Sequence, residues 1–247
     1  AGIAAREVLK LLSLNGGVEL KIKKGLPSGS GLGSSAASAA AAAFATNHLY
    51  GEKLSKADLI LPATKAEEYV SGGFFADNTA PCLLGGATLT RSKLPFDVTK
   101  IGHIDNLRII LVTPDVIVLT REAREMLPDT VSLDGFINNM ANSCLISAAF
   151  AKNDYDLFAR SVNDVVIEPI RAQLIPGYAE VKENALKAGA DGVAISGSGP
   201  TLFAITNHTN SRPFLIEDAM VRTFKKYGIG SRSIITEIDS VGTRLID

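Results

Sequence analysis

The chain of 247 residues contains no tryptophan, and its aromatic residues amount to 6%. Platforms that stack on nucleic-acid bases need such rings, so a single-stranded nucleic-acid binder is disfavoured. Charge of either sign is in no excess: 25 basic residues face 26 acidic ones, a formal net of −1. That balance offers no footprint for nucleic acid or for an acidic membrane surface. Cysteine is scarce too. Cys82 and Cys144 stand far apart, in no metal-ligand spacing, and read as free thiols of a reducing compartment. The three histidines, His48, His103 and His208, fall at a helix end or in polar loops with no nucleophile motif nearby, which disfavours a hydrolase. No apolar stretch reaches the ~20 residues of a membrane span. Residues 1–26 show no basic stretch leading into an apolar core, and a cytoplasmic location is the expectation. What remains is 46% hydrophobic and 21% charged, an ordinary globular composition, long enough for one large or two small domains.

In place of those features the chain carries a glycine-rich stretch, Pro27-Ser28-Gly29-Ser30-Gly31-Leu32-Gly33-Ser34-Ser35-Ala36-Ala37, which runs into the alanines Ala39 to Ala43. Glycine permits a backbone that turns successive N–H groups inward and lets a ligand approach the main chain. The helix behind it offers unpaired N–H groups at the positive end of its dipole, where phosphate binds. Ser34 and Ser35 fall where an N-cap belongs, and their hydroxyls could cap the helix, meet a phosphate or ligate Mg²⁺. No lysine follows the glycines as in a Walker loop, and the spacing differs from the dinucleotide fingerprint G-x-G-x-x-G. The alternative is a plain left-handed turn before a tightly packed alanine helix.

Periodicity predicts helices over residues 3–14, 34–50, 55–70, 120–127, 133–151, 178–188 and 213–227, with Pro62 interrupting the third. Ser55 and Asp58 follow capping-box spacing. Strands are predicted over 18–23, 83–90, 107–112, 193–195, 202–205 and 233–238. Residues 72–81 and 168–177 read as loops. Asp77-Asn78 could simply form a local Asx turn. Glu67 and Glu68, near a helix C-terminus where carboxylates oppose the dipole, could be solvated surface charge. A second glycine turn, Ser196-Gly197-Ser198-Gly199-Pro200, separates two short apolar strands. The second half mixes helices with about four strands, an α+β arrangement.

The two glycine turns, in this order, resemble the N- and C-terminal motifs of the GHMP small-molecule kinases. Within that superfamily, residues 72–86 with Ala76-Asp77-Asn78, Thr120-Arg121-Glu122-Ala123-Arg124, and Glu168-Pro169-Ile170-Arg171 through Gly177 are similar to the homoserine kinase family. The resemblance implies a two-domain α+β fold, an N-terminal ribosomal-S5-like domain over 1–103 and a C-terminal ferredoxin-like domain over 104–247, with the active site in the cleft between them. It implies ATP phosphates on Pro27, Ser28, Gly29, Ser30, Gly31, Leu32, Gly33, Ser34, Ser35 and Ala36, backed by Gly197, Ser198 and Gly199.

By the same resemblance Ser35 and Glu67 are Mg²⁺ ligands, which suits a hard cation that takes one or two oxygens from protein beside phosphate and water. Arg124 and Arg171 face the carboxylate of the amino-acid substrate, where arginine's fork fits; Arg121 could exchange roles with Arg124. Asp77 and Asn78 stand near the substrate ammonium and hydroxyl as catalytic residues, Asp77 being the candidate base. The implied reaction is transfer of the γ-phosphoryl group of ATP to the side-chain hydroxyl of L-homoserine, a step towards threonine. Another GHMP kinase, or an inert nucleotide-binding relative, is the alternative, and a homodimer is left open. Two departures stand out. Phe75 occupies the place of a histidine usual in this loop, and phenylalanine cannot hydrogen-bond. Nothing in residues 1–26 matches the family's N-terminal Asn/Gly/Asp motif, and the chain starts at Ala1 within a helical pattern, so a missing N-terminal segment is expected.

Overall fold

A computed structural model describes residues 1–91, 96–118, 123, 125–209 and 212–246. The chain divides into two compact units. The first comprises Ala1–Ser28, Gly33–Gly102 and Asp239–Asp247; the second comprises Gly29–Leu32 and His103–Ile238.

The first unit is built on helices. In α1 (Gly2–Leu11), Ala4, Ala5, Val8 and Leu9 recur at helical spacing and are buried. α2 (Ser34–Leu49) buries Ala36, Ala39, Ala40, Ala42 and Ala43, small side chains that let neighbouring helices approach closely. α3 (Ile60–Ser71) starts later than its pattern suggests, because residues 56–59 form turns. The Ser55–Asp58 capping pair nevertheless forms: the Ser55 N–H reaches Asp58 Oδ2 at 2.8 Å and the Asp58 N–H reaches Ser55 Oγ at 3.3 Å. Pro62 is the third residue of α3, where its missing N–H costs nothing.

α4 (Thr79–Leu84) replaces the end of an expected loop and the start of an expected strand. Pro81 is likewise its third residue, and Gly85 ends it at φ 71°. The strand proper is β1 (Ala87–Arg91), which pairs antiparallel with β2 (Asp97–Gly102), a partner hidden by its polar sequence. Val18–Lys23 belongs to no strand among the described residues; Leu20 packs on the core while Ile22 is half exposed. Val8, Ala40, Ala43, Leu59, Ala63, Ala80 and Leu83 form the core of this unit.

The second unit is a four-stranded antiparallel sheet in the order β4-β5-β3-β6, from β3 (Leu107–Pro114), β4 (Gly192–Ile195), β5 (Leu202–Asn207) and β6 (Ser231–Glu237). Side chains alternate across the central strand. Ile110 and Val112 meet Val181, Ala185, Ile216, Met220 and Phe224 of α8 (Tyr178–Lys187) and α9 (Pro213–Lys226). Leu107 and Ile109 face the other way, with Ala149 of α5 (Leu133–Lys152) and Leu157 and Phe158 of α6 (Tyr155–Ala159).

α6 stops at Ala159, one short helix after α5. The expected loop after Val166 contains one helical turn, α7 (Glu168–Arg171), and a 3-10 turn over Ala172–Leu174. Of the helix expected over 120–127, residues 120–122 and 124 lie outside the described residues; 123 and 125 are helical. The α+β expectation holds, with helices and antiparallel strands mixed in this order. Among the described residues no helix is long and apolar enough to cross a membrane.

Candidate active site

The glycine stretch adopts the backbone that its spacing suggests. Gly29, Gly31 and Gly33 have φ of 68°, 78° and 69°, left-handed at every second residue. Residues with a Cβ pay heavily there, and alternation of this kind makes a backbone concavity for anions. Ser30 is buried between them; its hydroxyl accepts the Leu32 N–H at 3.3 Å.

Within the second unit, residues 29–32 lie against the second glycine turn. Ser196 Oγ donates to the Gly31 carbonyl at 3.0 Å, and the Thr201 N–H donates to the Ser30 carbonyl at 3.2 Å. The approach is close enough that a Cβ on Gly31 would meet the Ser196 carbonyl oxygen at 2.3 Å and that of Gly199 at 2.8 Å. The turn closes on itself through the Gly199 N–H to Ser196 carbonyl bond at 2.9 Å, with Gly197 and Gly199 at φ 57° and 81°. Thr201 shares a 2.7 Å hydroxyl hydrogen bond with Thr113, which pins the far end of the turn to β3. Arg171, at the end of α7, donates from Nη1 to the Gly197 carbonyl at 2.8 Å. One turn is therefore bonded both to the phosphate-type loop and to a predicted substrate arginine. Arg121 and Arg124 lie outside the described residues.

In the first unit Gly33 is the N-cap residue of α2, without a side-chain cap. Ser34 and Ser35 are thus the first two helical residues, one step beyond the cap position expected for them. Ser34 Oγ donates to the Leu26 carbonyl at 3.0 Å and accepts from Lys24 Nζ at 3.2 Å. Ser35 Oγ donates to Glu67 Oε1 at 2.8 Å, joining residues 32 apart in sequence. Glu67 is therefore no idle surface charge. Burial, together with the negative charge of Glu67, pushes the neighbouring Cys82 thiol up and keeps it neutral. A hydroxyl and a carboxylate this close fit the small protein-derived oxygen set that Mg²⁺ accepts. Among the described residues, no group of three or more His, Cys, Asp or Glu gathers as a self-contained metal cage.

Asn78 also meets the glycine stretch: its Oδ1 lies 3.1 Å from where a Cβ on Gly33 would stand. Gly33 is needed for its backbone angle and for this approach. Asp77 Oδ1 accepts the Asn78 N–H at 3.1 Å, a local bond that leaves both side chains at the surface. Below them the buried hydroxyls of Thr64 and Thr79 pair at 2.8 Å, fixing α4 to α3. Phe75 is 41% exposed, and its ring lies over Gly73.

Sequence reasoning missed the hydroxyls of Ser196, Thr113 and Thr201 and the buried carboxylate of Glu168. Glu168 accepts from Tyr178 and Lys182, and from the Ile195 N–H at 3.3 Å. The available signal was Glu168-Pro169 ahead of Arg171, an acid in an otherwise apolar stretch.

Comparison with known proteins points to one family. The family model for the GHMP kinases N terminal domain matches residues 2–86, and that for the GHMP kinases C terminal matches residues 146–226. A homoserine kinase of Methanococcus vannielii is 43% identical over 83% of this chain and 67% of its own length. One from Halorubrum lacusprofundi is 39% identical over 94% of this chain and 77% of its own. The crystal structure of homoserine kinase from Cytophaga hutchinsonii superposes with a TM-score of 0.91 at 39% identity, covering 97% of this chain and 76% of that one. With two glycine turns held together as they are, and with relatives this similar along most of its length, the chain belongs to the GHMP kinase family, in its homoserine kinase branch.

Proposed function

We propose that this chain transfers the γ-phosphoryl group of ATP to the side-chain hydroxyl of L-homoserine, giving O-phosphohomoserine and ADP. The observation that carries the reading is the double attachment of the Ser196–Gly199 turn, to Gly31 on one side and to Arg171 on the other. It joins a concavity suited to phosphate with a guanidinium suited to an amino-acid carboxylate. Relatives named homoserine kinase at about 40% identity support the choice of substrate.

Phosphoryl transfer depends mainly on alignment and charge. The main chain around Gly29, Gly31 and Gly33 cradles the phosphates, and the N-terminus of α2 adds its dipole. Ser35 and Glu67 would hold Mg²⁺, which would supply positive charge to offset that of the phosphates. Arg171 and Arg124 grip the substrate carboxylate. Asp77 and Asn78 orient the ammonium and hydroxyl. The hydroxyl oxygen bonds to the γ-phosphorus as the bond to the bridging oxygen breaks, and Asp77 is the residue assigned to take the released proton.

Steady-state ADP release with homoserine, serine, threonine, mevalonate and galactose tests the proposal. Homoserine is expected to give the highest kcat/KM. Equal turnover of another alcohol would overturn the substrate assignment, and nucleotide binding without turnover would overturn the activity.

A further inference from the structure

Arg171 reaches the glycine turn from a helix only four residues long. One turn of helix has too few internal hydrogen bonds to hold its own geometry. Its placement must come from outside, and the surroundings of Glu168 show how. Glu168 is 7% exposed, and burying a carboxylate is costly unless it is paired and hydrogen-bonded. It is both. The Tyr178 hydroxyl and the Lys182 ammonium donate to one oxygen, and the Ile195 N–H donates to the other. Tyr178 and Lys182 belong to α8, and Ile195 is the last residue of β4, one step before the glycine turn.

Glu168 and Arg171 are three residues apart in a helix and so share a face. That face brackets the start of the turn: the carboxylate takes the N–H of Ile195 and the guanidinium takes the carbonyl of Gly197. The helix is also fixed at its entry. Asp164 accepts the N–H groups of Val166, Ile167 and Glu168 at 2.9, 2.8 and 3.1 Å, and Asn139 of α5 donates to it at 2.6 Å.

We propose that Glu168 is a positioning residue for the kinase reaction: it locks α7 to β4 and α8, so that Arg171 and the Ser196–Gly199 turn keep one fixed relation. This rests on the role given to Arg171 above. Glu168 touches neither substrate; it acts through Arg171.

A double-mutant cycle tests this, because residues acting through one another give non-additive effects. Glu168→Gln keeps the shape but presents N–H groups to a site filled with donors. It is expected to raise the KM for homoserine about tenfold with kcat within about twofold, the scale of a lost charged hydrogen bond. In an Arg171→Met background the same change should alter that KM less than about twofold. Should Glu168→Gln fail to fold, Tyr178→Phe removes only one grip on the carboxylate. It is expected to raise the KM about threefold, again only when Arg171 is present. Effects that multiply in both backgrounds, or a wild-type KM in Glu168→Gln or Tyr178→Phe, overturn the positioning role. A wild-type KM in Arg171→Met overturns the arginine assignment and this proposal with it; a raised KM there with an unchanged one in Glu168→Gln overturns this proposal alone.

Discussion

Ser196 Oγ donates to the carbonyl of Gly31 across 3.0 Å, linking two turns that are 165 residues apart in sequence. The link leaves no room at Gly31. A methyl group there would collide with two backbone carbonyls of the facing turn, on a residue whose φ is already 78°. Backbone cannot swing aside as a flexible side chain can, so the collision has to move the loop.

Gly31→Ala is therefore expected to lower kcat/KM for ATP by at least about a hundredfold, while the milder Ser196→Ala, which loses about 1 kcal/mol of hydrogen bonding, raises the ATP KM a few-fold. Steady-state kinetics with varied ATP at saturating homoserine check both. A near-wild-type Gly31→Ala would show that the loop does not carry the nucleotide.

Ser35 and Glu67 share a 2.8 Å hydrogen bond and are assigned the metal. Ser35→Ala and Glu67→Gln should each reduce kcat by at least about tenfold and raise the Mg²⁺ concentration for half-maximal rate, as expected when a hard-oxygen ligand is lost. Magnesium titrations at fixed ATP provide the measurement. Two variants with unaltered magnesium curves would remove the pair from the site.

Arg171→Lys keeps the charge but not the planar fork, and loses the bond to the Gly197 carbonyl. The KM for homoserine should rise about tenfold or more, with the ATP KM changed much less, since a bidentate carboxylate contact is worth about 1.5–3 kcal/mol. Kinetics with each substrate varied in turn distinguish this from general damage, which would move both constants together.

Burial alone would raise the Asp164 carboxyl. The Asn139 amide and the N–H groups of Ile167, Val166 and Glu168 outweigh it and hold the group below its ordinary 3.8. The folded state thus binds the proton less readily than the unfolded chain. Its contribution is complete above the ordinary value and is lost as pH falls through the lowered one. Denaturant titrations below about pH 4 should show a steeper fall in stability for the wild type than for Asp164→Asn. Parallel curves would mean that the carboxylate carries no such linkage.

Much of this could be read from the chain itself. Helices α8 and α9 follow apolar residues at 3.6 spacing, and β3 is a continuous apolar run, so period and length identify them. The glycines at 29, 31 and 33 signalled positive φ because no other residue adopts it cheaply. Proline misled once. Pro62 read as a break, yet it sits in a first turn, where no hydrogen bond is lost. Val18–Lys23 misled in the opposite sense, because alternation reports a two-faced segment but not whether a partner strand pairs with it. The Ser35–Glu67 bond joins residues 32 apart, and the three groups that donate to Glu168 come from two other elements, α8 and β4. No local pattern encodes such meetings; family resemblance suggested the first, and for the second the lone acid in an apolar stretch marked Glu168 but not its partners.

The residues from Asp239 onward fold with the first unit rather than the second. The Asp239 carbonyl accepts the Gly86 N–H at 2.8 Å, Thr243 bonds to the Cys82 carbonyl through both its N–H and its hydroxyl, and Gly242 wedges against Gly85. During synthesis, α1 to α4 and the β1–β2 hairpin emerge early but wait for that tail. Because residues 239–246 follow the second unit in the chain, the junction of α4 and β1 can be sealed only after that unit has been synthesised.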